Sequence, residues 1–341
     1  MVSKAAQDVS GPAPLAPPRQ SGSIRRTMTL DTRWPDGEGG DMDVVGSARD
    51  LYTPRRVDSA PRTVREDGFT ARLTPERRIL RIEATGGKRA VAELAGSQGG
   101  KQLRGRIGEV LPEELDGATP LYLLLDDLAG ASLVAGWAFS QWVQGWEEAL
   151  FDGPESDARR KRNEGVCIGF SPSSPVMIGS REDRQHFPRI VPALDSGADR
   201  QAWHSLSRQD DGPGARRARR LDVRLDGNTV RMNAHFQDSA SRPDGQRMGL
   251  HEYLITATAD RETMTLRSLD VDPRVLPFGY CPMAVPNTAR LIGTPLSGLR
   301  QAVLAELPRT LGCTHLNDML RSLADVPQLA ATIDQQSESA L

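Results

Sequence analysis

The clearest alternation of apolar and polar positions lies in the last third of the chain. Leu221 to Asp226 and Thr229 to Gln237 flank Asp226-Gly227-Asn228, where Gly and Asn accept the positive φ of a tight hairpin. His251 to Ala259 and Thr263 to Leu269 form a second pair around Asp260-Arg261-Glu262, so a four-stranded antiparallel meander is expected. The period then changes. Leu296, Leu299, Val303 and Leu307 share one helical stripe, and Leu316, Met319, Leu320 and Leu323 share another that is expected to stop before Pro327.

Earlier segments are shorter. Ser23 to Asp31 reads as a first strand, followed by a Gly-rich loop over 35–40. Stretches near 66–73, 77–84, 88–95 and 101–108 are separated by Gly-containing breaks and read as antiparallel strands. Thr119-Pro120 opens a helix, with proline in the first turn where its missing N–H costs nothing. Apolar residues continue at helical spacing from Leu121 to Trp146, and Trp137, Trp142 and Trp146 are expected to face the core. The fold class expected is α+β: antiparallel sheets with a C-terminal meander followed by helices.

The organisation expected is a disordered tail over 1–22, a β-rich region ending in a helix over 23–150, and an irregular connection over 151–220. The meander and helices occupy 221–330, and a short tail occupies 331–341. Arg159-Arg160-Lys161-Arg162 and Arg216-Arg217-Ala218-Arg219-Arg220 lie in the connection and read as solvated charge runs, with an ordered island near Gly165 to Phe170.

Composition narrows the function classes. A formal net charge of -2 supplies no field for a phosphate backbone, so nucleic acid is not expected as a partner. The most apolar run, Leu121 to Val143, is broken by Asp126, Asp127, Ser132 and Gln141, and no membrane span is expected. Three cysteines without a leader-like start point to the cytoplasm.

The chemistry-bearing residues are scarce and late. Cys313, His315 and Asp318 open the last helical pattern, and Cys281 leaves the meander 32 residues earlier. A helix start stabilises a thiolate, and His315 adds a nitrogen that Asp318 would orient. Cys313, His315 and Asp318 are therefore catalytic candidates, and Cys281, Cys313 and His315 are metal candidates, with a divalent ion as the cofactor implied. Cys313 and His315 share an ion only if Cys313 precedes the first full turn. His235 ends one strand and His251-Glu252 opens the next; with Asp238 they form a second, carboxylate–imidazole candidate for ligand binding. Each of these residues also has a plainer reading, as core thiol, cap or solvated strand end.

Six stretches resemble a bacterial family of unknown function, domain-of-unknown-function family 2889. They are Ile24-Arg25-Arg26-Thr27, Pro120-Leu121-Tyr122-Leu123-Leu124-Leu125-Asp126-Asp127, Ala234-His235-Phe236-Gln237-Asp238-Ser239, Leu250-His251-Glu252-Tyr253, Pro273-Arg274-Val275-Leu276-Pro277 and Gly312-Cys313-Thr314-His315-Leu316-Asn317-Asp318. That resemblance implies no activity. The C-terminal third also resembles iron–sulfur scaffold proteins in plan, with His235, Asp238 or His251 where those carry a further cysteine. The leading expectation is an enzyme or enzyme subunit of bacterial small-molecule catabolism. A non-catalytic binding protein, with a protein partner or second copy, and a metal or iron–sulfur delivery protein are the alternatives.

Overall fold

The computed structural model describes residues 9–56, 59–146, 156–178, 189–208 and 211–338. Nine strands form one sheet: β1 (Ser23–Arg33), β2 (Met42–Thr53), β3 (Arg62–Leu73), β4 (Ile79–Ala84), β5 (Arg189–Val191), β6 (Gly214–Asp226), β7 (Thr229–Ser241), β8 (Arg247–Asp260) and β9 (Leu266–Val275). Their order is β4-β3-β2-β1-β6-β7-β8-β5, with β9 also paired to β8. Every pairing is antiparallel. The β1–β6 junction runs from Ser23↔Arg224 to Arg33↔Gly214 and fuses the N-terminal strands to the meander.

The helices are α1 (Lys101–Val110), α2 (Pro112–Asp116), α3 (Pro120–Val134), α4 (Ser156–Asn163), α5 (Pro175–Ile178), α6 (Leu299–Glu306), α7 (Thr314–Ser322) and α8 (Val326–Glu338). Thr119 caps α3 by accepting from Tyr122 N–H at 3.1 Å. The helical stretch Pro120–Gln141 is long and apolar enough to cross a membrane by composition, but most of it is buried inside the fold as core. Two apolar clusters lie on one face of the sheet. One packs α1 and α3 on β1–β4 around Leu124, Leu125 and Phe69. The other packs α6–α8 on β6–β9 around Phe236, Tyr253 and Leu316.

Between the two clusters lies a buried layer of charge. Arg26 is bidentate to Asp50, at 2.7 and 2.6 Å, and reaches Asp325 at 2.8 Å. Arg217 is bidentate to Asp238, at 2.8 and 2.9 Å, and touches Asp318 at 3.3 Å. Arg219 holds Asp127, while Arg321 is bidentate to Asp126 at 2.8 and 3.0 Å. Breaking such a pair leaves an uncompensated buried charge, at a cost of about 3–5 kcal/mol.

Several expectations change. Residues 216–220, read as a solvated run, form the middle of the sheet in β6, because aspartates from α3, α7 and β7 neutralise alternate arginines. Arg159 to Arg162 do lie on a polar helix, α4. Segments 88–95 and 101–108 are helical: Arg89–Leu94 is a 3-10 turn and α1 spans the second, placing Val91, Leu94, Leu103 and Ile107 in the core. Pro327 does not end helical structure. It sits in the first turn of α8, whose Ile333 is fully buried, so 331–338 is no tail. Residues 9–20, expected to be disordered, lie against the sheet. Trp142 and Trp146 are only half-buried and reach outward to Ser241 and Glu38.

Gly130 in α3 permits the closest approach in the charge layer. A Cβ there would overlap Arg217 Nη1 and lie 2.6 Å from Asp318 Oδ2, whereas one at Gly136 would meet nothing within 4 Å. Gly130→Ala is expected to lower unfolding free energy by about 3 kcal/mol, as for a disrupted buried ion pair. Gly136→Ala should stay within about 0.5 kcal/mol. Urea unfolding of both variants measures the contrast.

Candidate functional site

Strand alternation places Phe236 and Asp238 of β7, and His251 and Tyr253 of β8, on the helix-covered face. Asp238 lies opposite His251, and the next pair is Ser239↔Gly249, so Leu250 is an extra residue accommodated as a bulge. Bulges re-aim neighbouring side chains, and this one sits beside both site residues. From the helix side, Cys313 is the N-cap residue of α7 and His315 follows in the first turn.

These elements bring Asp238, His251 and His315 together in a buried triad whose ligand atoms all lie within 4.8 Å of one another. Asp238 Oδ2 is 3.6 Å from His251 Nδ1 and 3.6 Å from His315 Nε2. The two imidazoles stack with centroids 3.5 Å apart and planes inclined by 17°. His251 Nδ1 is buried with no hydrogen-bond partner, an unusual state for a polar atom inside a protein. In the tautomer protonated at Nδ1, His315 donates to Thr314 Oγ1 at 3.3 Å and leaves Nε2 free as a lone pair. Cys313 Sγ lies 3.9 Å from the same Nδ1.

The electrostatics favour neutral imidazoles. Burial pushes both histidines well below their usual pKa; the second ring opposes His251, and the Arg217 and Arg219 guanidiniums oppose His315. Neutral imidazole is the state that binds metal. Burial likewise raises the thiols. Cys313 and Cys281 lie above their ordinary value and Cys167 is pushed up to about 12, so burial outweighs the helix start that was expected to favour a Cys313 thiolate.

The three thiols gather just beyond the triad. A Cβ on Gly169 would sit 3.1 Å from Cys281 Sγ and 3.8 Å from Cys167 Sγ, and Ile168 N–H donates to Gly312 O at 2.9 Å. Cys281 and Cys313 share one apolar cluster, and the Tyr253 hydroxyl lies against the Cys313 sulfur outside hydrogen-bonding geometry. Among the described residues, the group able to hold an ion comprises Asp238, His251 and His315 and includes neither Cys281 nor Cys313. Asp318 does not orient His315. It pairs with Arg104 at 2.5 Å and with Arg217.

His235 and Glu252 occupy the opposite face of the sheet from His251. His235 Nε2 and Glu252 Oε1 are 2.8 Å apart, and Gln237 Nε2 donates to the same oxygen at 2.8 Å. Burial raises the Glu252 carboxyl, but the His235, Ala13 and Gln237 bonds more than offset it and leave its pKa lowered. One candidate pair therefore divides into two sites, because neighbouring residues of β8 point to opposite faces. Arg217 had no place among the candidates; the signal for it was the period-two repeat of arginine at Arg217 and Arg219 about the apolar Ala218.

A narrow cleft with room for about one water molecule reaches Asp238, bounded by Ala131, Trp137, Arg217, Ser239 and Leu250. Trp137 Nε1 is buried there without a partner.

Residues 215–328 match the family model described as a protein of unknown function, DUF2889. The stretches at 234–239, 250–253, 273–277 and 312–318 fall inside that match, and three of them supply Asp238, His251 and His315. No curated protein and no solved structure matches the chain.

Because the folded histidines titrate below their unfolded value near pH 6.5, the unfolded chain binds protons that the fold refuses. Their stabilisation is complete above about pH 6.5 and is lost as pH falls towards the folded values, at up to about 1.4 kcal/mol per pH unit per proton. Asp127, raised to about 6 by burial, acts in the opposite sense. Urea unfolding at pH 7.5, 6.0 and 5.0 should therefore show a shallower acid slope in His251→Gln and His315→Gln than in the wild type. Parallel slopes would refute neutral, buried rings.

Proposed function

We propose that this chain, whose residues 215–328 match the DUF2889 family, is a metal-dependent enzyme or enzyme subunit acting on a small molecule. Its centre is a divalent transition-metal site formed by Asp238, His251 and His315. The observation that carries the reading is the unpartnered, fully buried His251 Nδ1 facing two further donors. Metal–nitrogen and metal–oxygen bonds near 2.0–2.2 Å place tetrahedral ligand atoms about 3.4 Å apart. The two 3.6 Å separations here are close to that edge length. Imidazole and carboxylate ligands suit zinc, iron or a related ion better than calcium or magnesium.

The surroundings support the same reading. Arg217 donates to both oxygens of Asp238 and fixes the carboxylate plane, leaving a lone pair on Oδ2. Near-parallel rings cannot both aim their in-plane lone pairs at one ion, so binding tilts one imidazole out of the stack. His251 Nδ1 has no hydrogen bond to lose in doing so. Three protein ligands leave a coordination position open, which is the arrangement of catalytic rather than closed structural sites. The cleft ending at Asp238 has room for about one water molecule, the size of ligand that the open coordination position takes, with the unpartnered Trp137 indole N–H in its wall.

Titration of the full chain with Zn²⁺ or Co²⁺ is expected to give one ion per chain. His251→Ala and His315→Ala should each weaken binding by at least about 100-fold, beyond what loss of an outer-sphere partner costs. Cys281→Ser and Cys167→Ser should change it little. Retained affinity in the double histidine variant, or no binding of any divalent transition metal by the wild type, would exclude the proposal.

A further inference from the structure

The other face of the sheet carries a different kind of site, independent of the metal reading. Residues 9–20 cross it without helix or strand, with Pro12, Pro14, Pro17 and Pro18 restricting φ along the way. The sheet holds this segment mainly by its backbone. Ser10 N–H donates to Pro273 O at 3.2 Å, and Ala13 N–H donates to Glu252 Oε2 at 2.8 Å. Arg274 donates to Pro12 O at 2.9 Å, and the buried Arg25 donates to Pro17 O at 2.7 Å. Arg19 closes the far end through a bidentate pair with Asp199 at 2.6 and 2.9 Å.

A surface that reads main-chain carbonyls and N–H groups through guanidinium and carboxylate groups recognises an extended chain rather than a compact small molecule. Proline-rich segments suit it because they expose their carbonyls and are already extended, so little entropy is lost on docking. Apolar anchorage is limited to small contacts: Ala13 is buried, Val9 and Ala16 pack partly buried against apolar clusters, and Leu15 is exposed. The resident segment also leaves donors unused. Trp203 Nε1 and Arg25 Nη1 are buried without partners, and Trp203 lines the pocket around Ala13, Pro14 and Ala16. Beyond Pro17 and Pro18 the groove continues over Asp222, Arg224, Asn233 and Thr256, with a volume of about 260 Å³.

We infer that this face is a receptor groove for an extended proline-rich segment of another protein chain, which residues 9–20 occupy in cis until displaced. The resident segment is the template for the partner: a small residue with a free N–H at the Ala13 position, carbonyls at the Pro12 and Pro17 positions, and further acceptors for Trp203 and Arg25. Glu252 is the selective element. Its buried Oε2 accepts the Ala13 N–H at 2.8 Å, and proline at the Ala13 position cannot supply that donor.

The test uses the full chain and a fluorescein-labelled peptide of residues 9–20. Ala13→Pro in the chain removes the cis donor to Glu252 and loosens the resident segment. Anisotropy should show micromolar binding of the wild-type peptide to this variant, and binding at least about tenfold weaker for a peptide carrying the same Ala13→Pro change, the loss expected for a charge-assisted hydrogen bond. Wild-type chain should bind the peptide more weakly than the variant does. Absence of peptide binding by a folded Ala13→Pro chain, or equal binding of both peptides, overturns the inference. Hydrogen exchange on the wild type is the second measurement: protected amides at Ser10 and Ala13 support the docked segment, and free exchange there overturns it.

Discussion

Asp238 is held by Arg217, and much else follows from that pair. The guanidinium lies fully buried in the middle of β6, where it spans Asp238 on the neighbouring strand and Asp318 on α7. A buried arginine cannot shed its proton, so it stays charged and imposes positions on the carboxylates around it. One charge thereby fixes the strand, the helix and the orientation of the candidate ligand. Gly130 on α3 is the third party, since only a residue without a side chain admits the helix to this distance.

The charge layer is not a stabilising device in the ordinary sense. Desolvation offsets most of the attraction in buried ion pairs, and apolar replacements often do as well. What such a layer supplies is a penalty for every other arrangement. The two apolar clusters on either side would tolerate sliding; a lattice of ion pairs, bidentate at Arg26, Arg217 and Arg321 and single at Arg219, to aspartates from α3, α7 and the strands does not. A reactive centre with a tolerance of tenths of an ångström needs that kind of framing. The neutral imidazoles lie at the margin of this layer, where burial first and its arginines second keep them unprotonated.

The two faces of the sheet divide the labour. The helix side encloses Asp238, His251 and His315, while the opposite side presents Glu252 and His235 to the proline-rich segment. Since β8 supplies both His251 and Glu252, adjacent residues of one strand serve unrelated surfaces. The bulge at Leu250 lies where these demands meet, and it also brings that side chain to the wall of the cleft.

Much of this was legible in the amino-acid order. The Asp226-Gly227-Asn228 turn, the Thr119-Pro120 helix start and the placement of Cys313 ahead of its helix follow from local rules of φ, capping and periodicity. His251 and His315 also stood out, but in two separate candidate sites, with Asp238 only as a neighbouring carboxylate of the first; only the folded structure joins the three. Local rules failed wherever a partner far along the chain decided the outcome. Arg216 to Arg220 have the composition of a solvated run, and only aspartates up to 185 residues away make them interior. Residues 88–108 have short apolar runs that suit strand or helix equally, and packing on β4 and α3 selects the helix. His235 and His251 looked like one site because they lie close along the meander; pleating sends them to opposite faces. The sequence by itself determined which neighbouring segments form hairpins and where along the chain the chemistry-bearing residues fall, because turns and periodicity act over a few residues. Which groups meet, and in which protonation state, was decided by tertiary structure alone, because burial and long-range charge exist only once the chain has closed.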